Sequence, residues 1–530
     1  MNHTGDDTFV QNARLTEWSV GDFANTARGQ KNPMPHTRFC ILRSAFRAAR
    51  VGHPECCFWH GFASFGIDWG TKRRKGEGRE RCRVGEVLKI WGGMRLEGEV
   101  WLPPAKNSVL PILAASLLCD GPVRLRQTPR LTDVENSLAL LRAAGMRTAW
   151  EGEDLLLAPG RAGKSALPDG PVRAMRSSVF YLAPMLHRMG EVRMTMPGGC
   201  RLGPRPIDIH LEGLACMGAA AEWKGEQLTL SAPRGLYGAE FALRLPSVGA
   251  TETLMMAAVK AKGITVLRGA AREPEVVDLA RFLMAAGAHI CGAGTSTIWI
   301  QGRERLSGAA FRPVTDRIVA ATVLAAAAAT GGSVTLRRCV PEHLEPVVEV
   351  LTRGGCRIRR EGPAALTLAA PARLAGAGWV TAGAYPAFPT DAAPVLAAAF
   401  LTAAGPSYFE DTVFEHRFGC AAGFSALGGR AKVRGRLLEL APAERLQGAA
   451  VSAADLRGGA ALAVAALQAQ GESTIAQAGY IRRGYGDLAA LLRSLGARAE
   501  WEEKTERENE GKRRAKPEKY FSEAGGISLP

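Results

Sequence analysis

The sequence predicts an α/β fold assembled from six copies of one unit. Three observations predict it. The chain has 530 residues, which is too long for one ordinary hydrophobic core, so two or more domains are expected. Apolar segments with helical periodicity end in glycine at intervals of 68 to 73 residues. A second series of apolar helices alternates with the first, and strand-like runs follow the helices of both series.

The first series consists of helices that close on a glycine, as in "LRAAG" and "LMAAG". Each glycine stands where a helix needs a left-handed residue just past its last turn. Short alternating runs such as "AAAEW" follow and predict strands. The six closing glycines are Gly145, Gly218, Gly287, Gly355, Gly428 and Gly496.

The second series consists of longer apolar helices, such as "DRIVAATVLAAAAATGG", which also end in glycine. Polar residues at a helix start are ordinarily caps, but Lys and Arg are not caps, and they oppose the positive end of the helix dipole. If the six units pack symmetrically, three to a domain, these starts face one cleft and favour an anionic, phosphate-bearing ligand. The starts hold Lys106 and Asn107, Arg176, Ser247 and Gly249, Asp316 and Arg317, Asp391, and Asp455 and Arg457.

The composition is that of a globular protein, with 47% hydrophobic and 22% charged residues. The formal net charge of +16 suits nucleic acid, an anionic surface or anionic substrates. Much of it lies in local runs such as Thr71 to Arg83, which lacks interleaved aromatics and is interpreted as a solvated segment. The alanine-rich stretch from Ile318 is too weakly hydrophobic to span a membrane and predicts a packed helix.

Eleven scattered cysteines do not form a disulfide framework, so we expect a reducing, cytoplasmic location. The cluster "HPECCFWH", His53 to His60, lacks the second ligand pair of a zinc site. Residues 1–86 show no sustained periodicity and are expected to be a disordered leader outside the working protein. Residues 504–530 belong to a dense mixed-charge tail that is expected to fray.

One cysteine has a different setting. Cys200 lies in "MPGGCRLGPRP", a Gly/Pro loop in which Arg201 and Arg205 favour the thiolate and make the sulfur a candidate for chemistry.

From Leu88 to Trp501 the chain resembles the UDP-N-acetylglucosamine 1-carboxyvinyltransferase family of enolpyruvyl transferases. The matching motifs are "LEGEVWLPPAKNSVLPILAASLL", "MPGGCRLGPRPIDIHLEGL", "PSVGATETLMMAA", "AAREPEVVDLARFL", "YPAFPTD", "TVFEHRF", "DLRGGAALAVAAL" and "RRGYGDL". The resemblance implies a two-domain inside-out α/β barrel with three units in each domain. One domain would be discontinuous, with residues 87–105 and 315–503, and residues 106–314 would form the second, with the Cys200 loop closing over the ligand.

The resemblance also implies the reaction and its residues. The enolpyruvyl group of phosphoenolpyruvate would pass to the 3′-hydroxyl of UDP-N-acetylglucosamine with release of phosphate, the first committed step of peptidoglycan synthesis. Cys200 would be the general acid, and also the position that fosfomycin alkylates, and Asp391 the base. The implied phosphoenolpyruvate ligands are Lys106, Asn107, Arg205, Arg457 and Arg483, of which Lys106 and Arg483 would also act in catalysis.

The remaining implied residues bind the nucleotide sugar or support the anion site. No metal or other cofactor is implied; we expect the two small substrates as partners, no nucleic acid or membrane, and a monomer. The implied nucleotide-sugar ligands are Asn107, Arg176, Arg205, Pro206, Ile207, Asp208, Ile209, Leu245, Pro246, Ser247, Val248, Gly249, Asp391 and Val413, and the supporting residues are Asp316, Arg317, Glu415, Arg417 and Asp455.

Two other functions remain open at this stage. An enolpyruvyl transferase acting on shikimate 3-phosphate shares the repeats and the donor but lacks the "PGGC" loop. The second is a non-catalytic binding protein: a degenerate copy that retains the nucleotide sugar, which the intact Lys106, Cys200, Arg205, Asp391 and Arg483 disfavour, or a basic nucleic-acid binder that uses Thr71 to Arg83, which a salt-dependent affinity for DNA would support. The chain departs from the family's usual residues at Val319, Ala392, Ala393, His416, Gly423, Phe424 and Arg482.

Overall fold

The computed structural model describes residues 86–161, 163–199, 202–203 and 205–503. Helices and mixed sheets alternate along this chain, which confirms the predicted α/β class. The buried apolar residues form two separate cores. One joins Leu88–Leu102 to the segment from Val319 to Ala499, and the other runs from Val109 to Leu306.

The first body, around the Leu88–Leu102 core, has three apolar helices at its centre, packed on one another. Because alanine covers most of their surface, these helices are buried on nearly every face and can approach closely. They are Arg317–Ala329, Ala393–Ala399 and Leu456–Gln468. The prediction of a packed helix from Ile318 is confirmed, since residues 318–328 are all buried.

Sheets surround these helices in the first body, and shorter, more polar helices lie between the sheets. In sheet order the strands are Ala450–Ser452, Glu472–Ala476, Glu86–Trp91 and Arg498–Glu503; Arg357–Arg360, Ala365–Ala369, Ser333–Arg337 and Glu97–Trp101; Phe388–Pro389, Gly378–Gly383, Ser407–Asp411, Leu437–Ala441 and Arg430–Arg434; and Leu446–Gln447 with Ala469–Gln470. The outer helices are Pro341–Leu344, Glu345–Arg353, Ala421–Ala426, Gly479–Tyr485 and Leu488–Arg493.

The second body repeats this plan. Its central helices are Lys106–Ala115, the continuous pair Arg176–Tyr181 and Leu182–Met189, and Val248–Ala258. Its strands, in sheet order, are Ala310–Phe311, Val123–Leu125, Asp154–Pro159 and Met146–Glu151; Glu191–Thr195, Gln227–Ser231 and Ala220–Lys224; and His289–Cys291, Thr297–Gln301, Ile264–Arg268 and Glu240–Ala242. The other helices are Ser116–Leu118, Thr132–Ala143, Asp169–Ala174, Asp208–Cys216 and Pro274–Ala285.

The glycines that close the first helical series have the predicted backbone. All six have a positive φ, between 90° and 99°, a region that side chains rarely adopt. The chain can therefore turn from each helix into the following strand, and the repeat seen in the sequence is a repeat of structure.

Two antiparallel segments connect the bodies. The N–H of Ala105 donates to the carbonyl of Val314 (2.7 Å), and the N–H of Asp316 donates to the carbonyl of Pro103 (2.9 Å). Helix Lys106–Ala115 begins directly after the outgoing segment, and helix Arg317–Ala329 directly after the returning one. The crossing therefore places two predicted site residues, Lys106 and Arg317, at the junction between the bodies.

Within the described ranges, no helix is both long and apolar enough to cross a bilayer.

Candidate active site

A three-residue ion cluster joins the two bodies. Lys106 is the first residue of its helix, and its Nζ lies 2.6 Å from Oδ2 of Asp133. Arg483, on helix Gly479–Tyr485 of the first body, donates from Nε to Oδ1 of the same carboxylate (2.9 Å). All three residues are buried. Burial opposes ionisation of Asp133, but the charges of Lys106 and Arg483 outweigh it and hold the pKa of that carboxyl below its usual value.

A second ion cluster surrounds Asp391, which follows strand Phe388–Pro389. Arg417 donates from Nη2 to Oδ1 (2.9 Å), and Arg457 donates from Nη2 and Nε to Oδ2 (3.0 and 3.2 Å). Burial raises the pKa of Asp391, while Arg457, Arg417 and Lys106 together lower it far below the usual value. Asp391 is therefore an ionised acceptor at neutral pH, and the action of Lys106 on it connects the two clusters.

The caps at the helix starts are partly as the sequence predicts. Asp316 accepts from the N–H groups of Ile318 and Val319 and also from that of Lys106, and Asp455 accepts from those of Arg457 and Gly458. The interpretation of Asp391 as a cap is wrong, because helix Ala393–Ala399 has Ala392 at its cap position without a side-chain bond. The carboxylate instead accepts hydrogen bonds from the guanidinium groups of Arg417 and Arg457.

Three of the cations at the helix starts already have a carboxylate partner, which changes one sequence argument for them. Lys106 is paired with Asp133, Arg457 with Asp391, and Arg317 with Glu275 through two bonds of 2.9 and 3.1 Å. An anionic ligand is thus not needed to neutralise them. The Arg457 guanidinium is also next to Tyr485, whose ring centre lies 5.4 Å away.

The segments predicted for the nucleotide sugar lie together in the second body. Arg176 donates from Nη2 to the carbonyl of Pro206 (2.9 Å), and Arg244 pairs with Asp208, which brings residues 205–209 beside residues 245–249. Ser247 caps helix Val248–Ala258, with its Oγ accepting from Ala250. Burial and the neighbouring charge of Arg205 lower the pKa of Arg176 to about 10.

Three predicted ligands are solvent-accessible in this state. Asn107 is exposed next to the buried Lys106, and Leu245 and Val413 are exposed to 50% and 44%. Leu245 belongs to the second body and Val413 to the first. They can therefore contact a ligand without rearrangement of a core.

Cys200 lies outside the described residues, but both ends of its loop are described. The carbonyl of Leu202 accepts from the N–H of His416 (3.4 Å), and the guanidinium of Arg205 lies 5.4 Å from the ring of Phe414. The loop of the second body therefore contacts the "FEHRF" segment of the first, which also carries Arg417.

Glu415 is placed differently from Arg417, although the sequence predicts both as supporting residues. Its carboxylate pairs with the exposed Arg436 (3.2 Å), and its side chain lies 3.6 Å from where a Cβ on Gly203 would stand. Glu415 therefore contacts the thiol loop and lies apart from the carboxylate of Asp391.

The departures from the family pattern are accommodated by packing. A Cβ on Gly423 would lie 2.4 Å from Leu462, so this site admits only glycine without a shift. Arg482 pairs with Glu86 (3.2 Å) and stacks at 4.0 Å on Trp501, which ties the first described strand to the last. Ala392 and Ala393 are buried in the first core.

Sequence reasoning missed Asp133, the carboxylate that joins Lys106 to Arg483. An acidic residue in the first turn of a helix is ordinarily explained by the helix dipole, so its pattern gave no separate signal. Tyr485 was also missed; its ring lies 5.4 Å from the Arg457 guanidinium, and its hydroxyl bonds Thr322 (2.9 Å). The part of the chain with described side chains contains no group of His, Cys, Asp and Glu that could hold a metal.

Comparison with known proteins gives consistent matches. Residues 90–492 match the family model described as EPSP synthase (3-phosphoshikimate 1-carboxyvinyltransferase). UDP-N-acetylglucosamine 1-carboxyvinyltransferase 1 of Symbiobacterium thermophilum is 44% identical over 418 residues, which cover 78% of this chain and 94% of that protein. The UDP-N-acetylglucosamine 1-carboxyvinyltransferase of Dichelobacter nodosus is 42% identical over 418 residues, with 78% and 99% covered.

Solved structures agree on the fold. The enolpyruvyl transferase NikO from Streptomyces tendae superimposes with a TM-score of 0.72 at 26% identity, covering 80% of this chain and all of that one. EPSP synthase from Acinetobacter baumannii gives a TM-score of 0.62 at 18% identity, with 79% and 100% covered.

Proposed function

This chain belongs to the UDP-N-acetylglucosamine 1-carboxyvinyltransferase family of enolpyruvyl transferases, and from that premise we propose that it transfers the enolpyruvyl group of phosphoenolpyruvate to the 3′-hydroxyl of UDP-N-acetylglucosamine. One observation carries the assignment of the site. Lys106 and Arg483, from different bodies, converge on Asp133 beside a second cluster in which Arg457 and Arg417 hold Asp391. A site of this kind binds an anion and offers a carboxylate to a hydroxyl group.

The donor's phosphate and carboxylate bind to the buried cations. Lys106 and Arg483 already share a carboxylate, so a phosphate can replace or join Asp133 as their counter-charge. Arg457, in the neighbouring cluster, adds positive charge. Because the site is shielded from water, these contacts strengthen as charge moves onto the departing phosphate. Arg205 and Asn107 complete the donor site from the loop and from the helix start.

Three proton transfers are required, two in the addition and one in the elimination. Cys200 donates a proton to the methylene carbon of phosphoenolpyruvate, which creates positive charge at the neighbouring carbon, and the sugar hydroxyl attacks there. Asp391 accepts the hydroxyl's hydrogen bond and then its proton. Its depressed pKa makes it a weak base at rest, so the proton moves as the C–O bond forms and the hydroxyl becomes acidic. Phosphate then leaves as one methyl proton returns to the Cys200 thiolate, which forms the enol ether and restores the thiol.

The nucleotide sugar binds in the second body. The first-turn amides of Val248 and Gly249 have no intrahelical acceptor and face a diphosphate, and Arg176 and Arg205 add positive charge. Residues 205–209 and 245–248 hold the nucleotide, and Asp391 and Val413 contact the sugar. Asp316, Arg317, Asp455 and Arg417 hold these residues in place, and Glu415 contacts the thiol loop.

The wider role follows from this reaction. We place the enzyme at the first committed step of peptidoglycan synthesis, and hence in cell wall formation, cell shape and division, as a cytoplasmic monomer that needs no cofactor, nucleic acid or membrane. Fosfomycin would inhibit it by alkylating Cys200. The domains are residues 87–105 with 315–503, and residues 106–314, consistent with the two cores.

Phosphate release tests the proposal. The protein is incubated with phosphoenolpyruvate and either UDP-N-acetylglucosamine or shikimate 3-phosphate, and release is expected only with the nucleotide sugar. Release with shikimate 3-phosphate alone would assign the reaction named by the matching family model. Asp391→Ala is expected to lower the rate by several orders of magnitude, and a fully active variant would remove Asp391 from the chemistry.

A further inference from the structure

His210 is a buried histidine to which the proposed reaction gives no task. It lies on helix Asp208–Cys216, one residue after the segment 205–209, and is 5% exposed. Both ring nitrogens are buried and lack a hydrogen-bond partner among the described residues. A buried donor without a hydrogen-bond partner is destabilising. At the edge of the proposed nucleotide-sugar site, a ligand atom can supply the missing partner.

The ring lies against the start of helix Val248–Ala258. A Cβ built on Gly249 would stand 3.1 Å from Nε2 of His210 and 3.9 Å from the ring of Phe180. Because Cα–Cβ bonds tilt toward the start of a helix, the imidazole lies on the side of this turn where the free N–H groups point. Because Gly249 has no side chain, Nε2 of His210 lies directly against this first turn.

The charges around His210 favour an anion. Arg176 acts on the ring electrostatically, and Arg205 acts on Arg176. The one carboxylate that acts on the ring, Asp208, is paired with Arg244. Burial and the charge of Arg176 lower the pKa of His210 to about 3, so the imidazole is neutral and carries one N–H donor.

We propose that His210 is an additional binding residue for the diphosphate of the nucleotide sugar, and that its neutral imidazole donates one hydrogen bond to a diphosphate oxygen at the start of helix Val248–Ala258. This inference rests on the proposed function, because the diphosphate belongs to the proposed acceptor. It also explains why position 249 holds a glycine: a larger side chain would push the ring away from the anion.

The test compares His210→Phe, which keeps the ring's shape without a donor, with His210→Gln, whose amide can donate from a similar place. With His210→Phe, KM for UDP-N-acetylglucosamine should rise about ten- to a hundredfold, the loss expected for a hydrogen bond to a charged group. The value of kcat and KM for phosphoenolpyruvate should stay within about twofold. His210→Gln should recover most of the loss. A folded His210→Phe variant with an unchanged KM for the nucleotide sugar would overturn the inference.

Calorimetric titration with UDP separates failure of this inference from failure of the proposed function. UDP carries the diphosphate without the sugar. Wild-type protein that binds UDP at least tenfold more tightly than His210→Phe supports the inference even if no phosphate is released in turnover. Equal affinities overturn it even if turnover with UDP-N-acetylglucosamine is confirmed.

Discussion

Asp133→Asn is expected to destabilise the unliganded protein and to make it depend on a bound anion. The substitution keeps the side chain's shape but leaves Lys106 and Arg483, which are 8% and 7% exposed, without their shared carboxylate. Removing one partner from a buried ion cluster costs about 3 to 5 kcal/mol. Lys106 also interacts with Asp391, so we expect the lower end, about 3 kcal/mol. For a body of this size, that lowers Tm by about 6 to 12 °C.

A bound anion should restore part of the Tm that Asp133→Asn loses. Phosphate or phosphoenolpyruvate would supply the missing charge, and it should bind the variant more tightly because Asp133 no longer competes for the two cations. At a ligand concentration about 100 times the variant's Kd and no higher than the wild type's Kd, the variant gains about 2.7 kcal/mol and wild type at most about 0.4 kcal/mol, so the Tm difference should shrink by more than half. Differential scanning calorimetry with and without each ligand measures this. Asp154→Asn is the control, because it breaks an ion pair with Arg124 in a sheet of the second body, outside the anion site, and any Tm deficit it causes should not be rescued. A Tm deficit of Asp133→Asn that phosphoenolpyruvate leaves unchanged would refute the reasoning.

The pH dependence of this contribution has a defined sign. The folded pKa of Asp133 is depressed, so its stabilisation is fully present above the carboxyl's ordinary pKa, near 4, and is lost as the pH falls from there through the lower folded pKa. The Tm values of wild type and Asp133→Asn should therefore begin to converge once the pH is lowered below about 4.

Three further predictions follow from other parts of the molecule. Cys200→Ser should abolish phosphate release while calorimetry shows unchanged binding of UDP-N-acetylglucosamine; unaltered turnover would exclude the thiol as the acid. Gly287→Ala should cost about 1 to 2 kcal/mol of stability; because nothing lies within 4 Å of the new methyl group, this cost reflects only the φ of 99°. Gly170→Ala also places its methyl group in open space, but at an ordinary φ, and should not destabilise the protein. Equal Tm changes in the two variants would contradict the backbone argument. Burial raises the pKa of Asp278 to about 6, so the contribution of this carboxyl to stability falls by at most about 3 kcal/mol as the pH rises from about 4 to 6. Asp278→Asn, which can still accept a hydrogen bond from the N–H of Val314, should flatten the plot of Tm against pH in that range. An unchanged slope would show that another group titrates there.

The sequence is informative wherever one residue type satisfies a local requirement. The positive φ of the closing glycines follows from the chemistry of a helix end, and the buried alanine-rich helices follow from a surface that is apolar all round. These features act within a few residues of the chain, so the α/β class and the repeat could be predicted without a partner segment.

Contacts between distant segments could not be predicted in this way. Asp133 and Arg483 are 350 positions apart, and only the packing of the two bodies brings them together. The partners of Asp391 are also distant in sequence. Its position suggests a helix cap, but its carboxylate instead accepts hydrogen bonds from Arg417 and Arg457. The partners of Lys106, Arg317 and Arg457 are likewise long-range, which is why their charges seemed to require a ligand.

The position of the phosphate in a crystal of the Cys200→Ser protein with phosphoenolpyruvate and UDP-N-acetylglucosamine tests the central claim most directly. We predict phosphate oxygens within hydrogen-bond distance of Lys106 Nζ and the Arg483 guanidinium, with the 3′-hydroxyl of the sugar on Asp391. A phosphate bound elsewhere, with the Lys106, Asp133 and Arg483 cluster undisturbed and closed to it, would contradict the account.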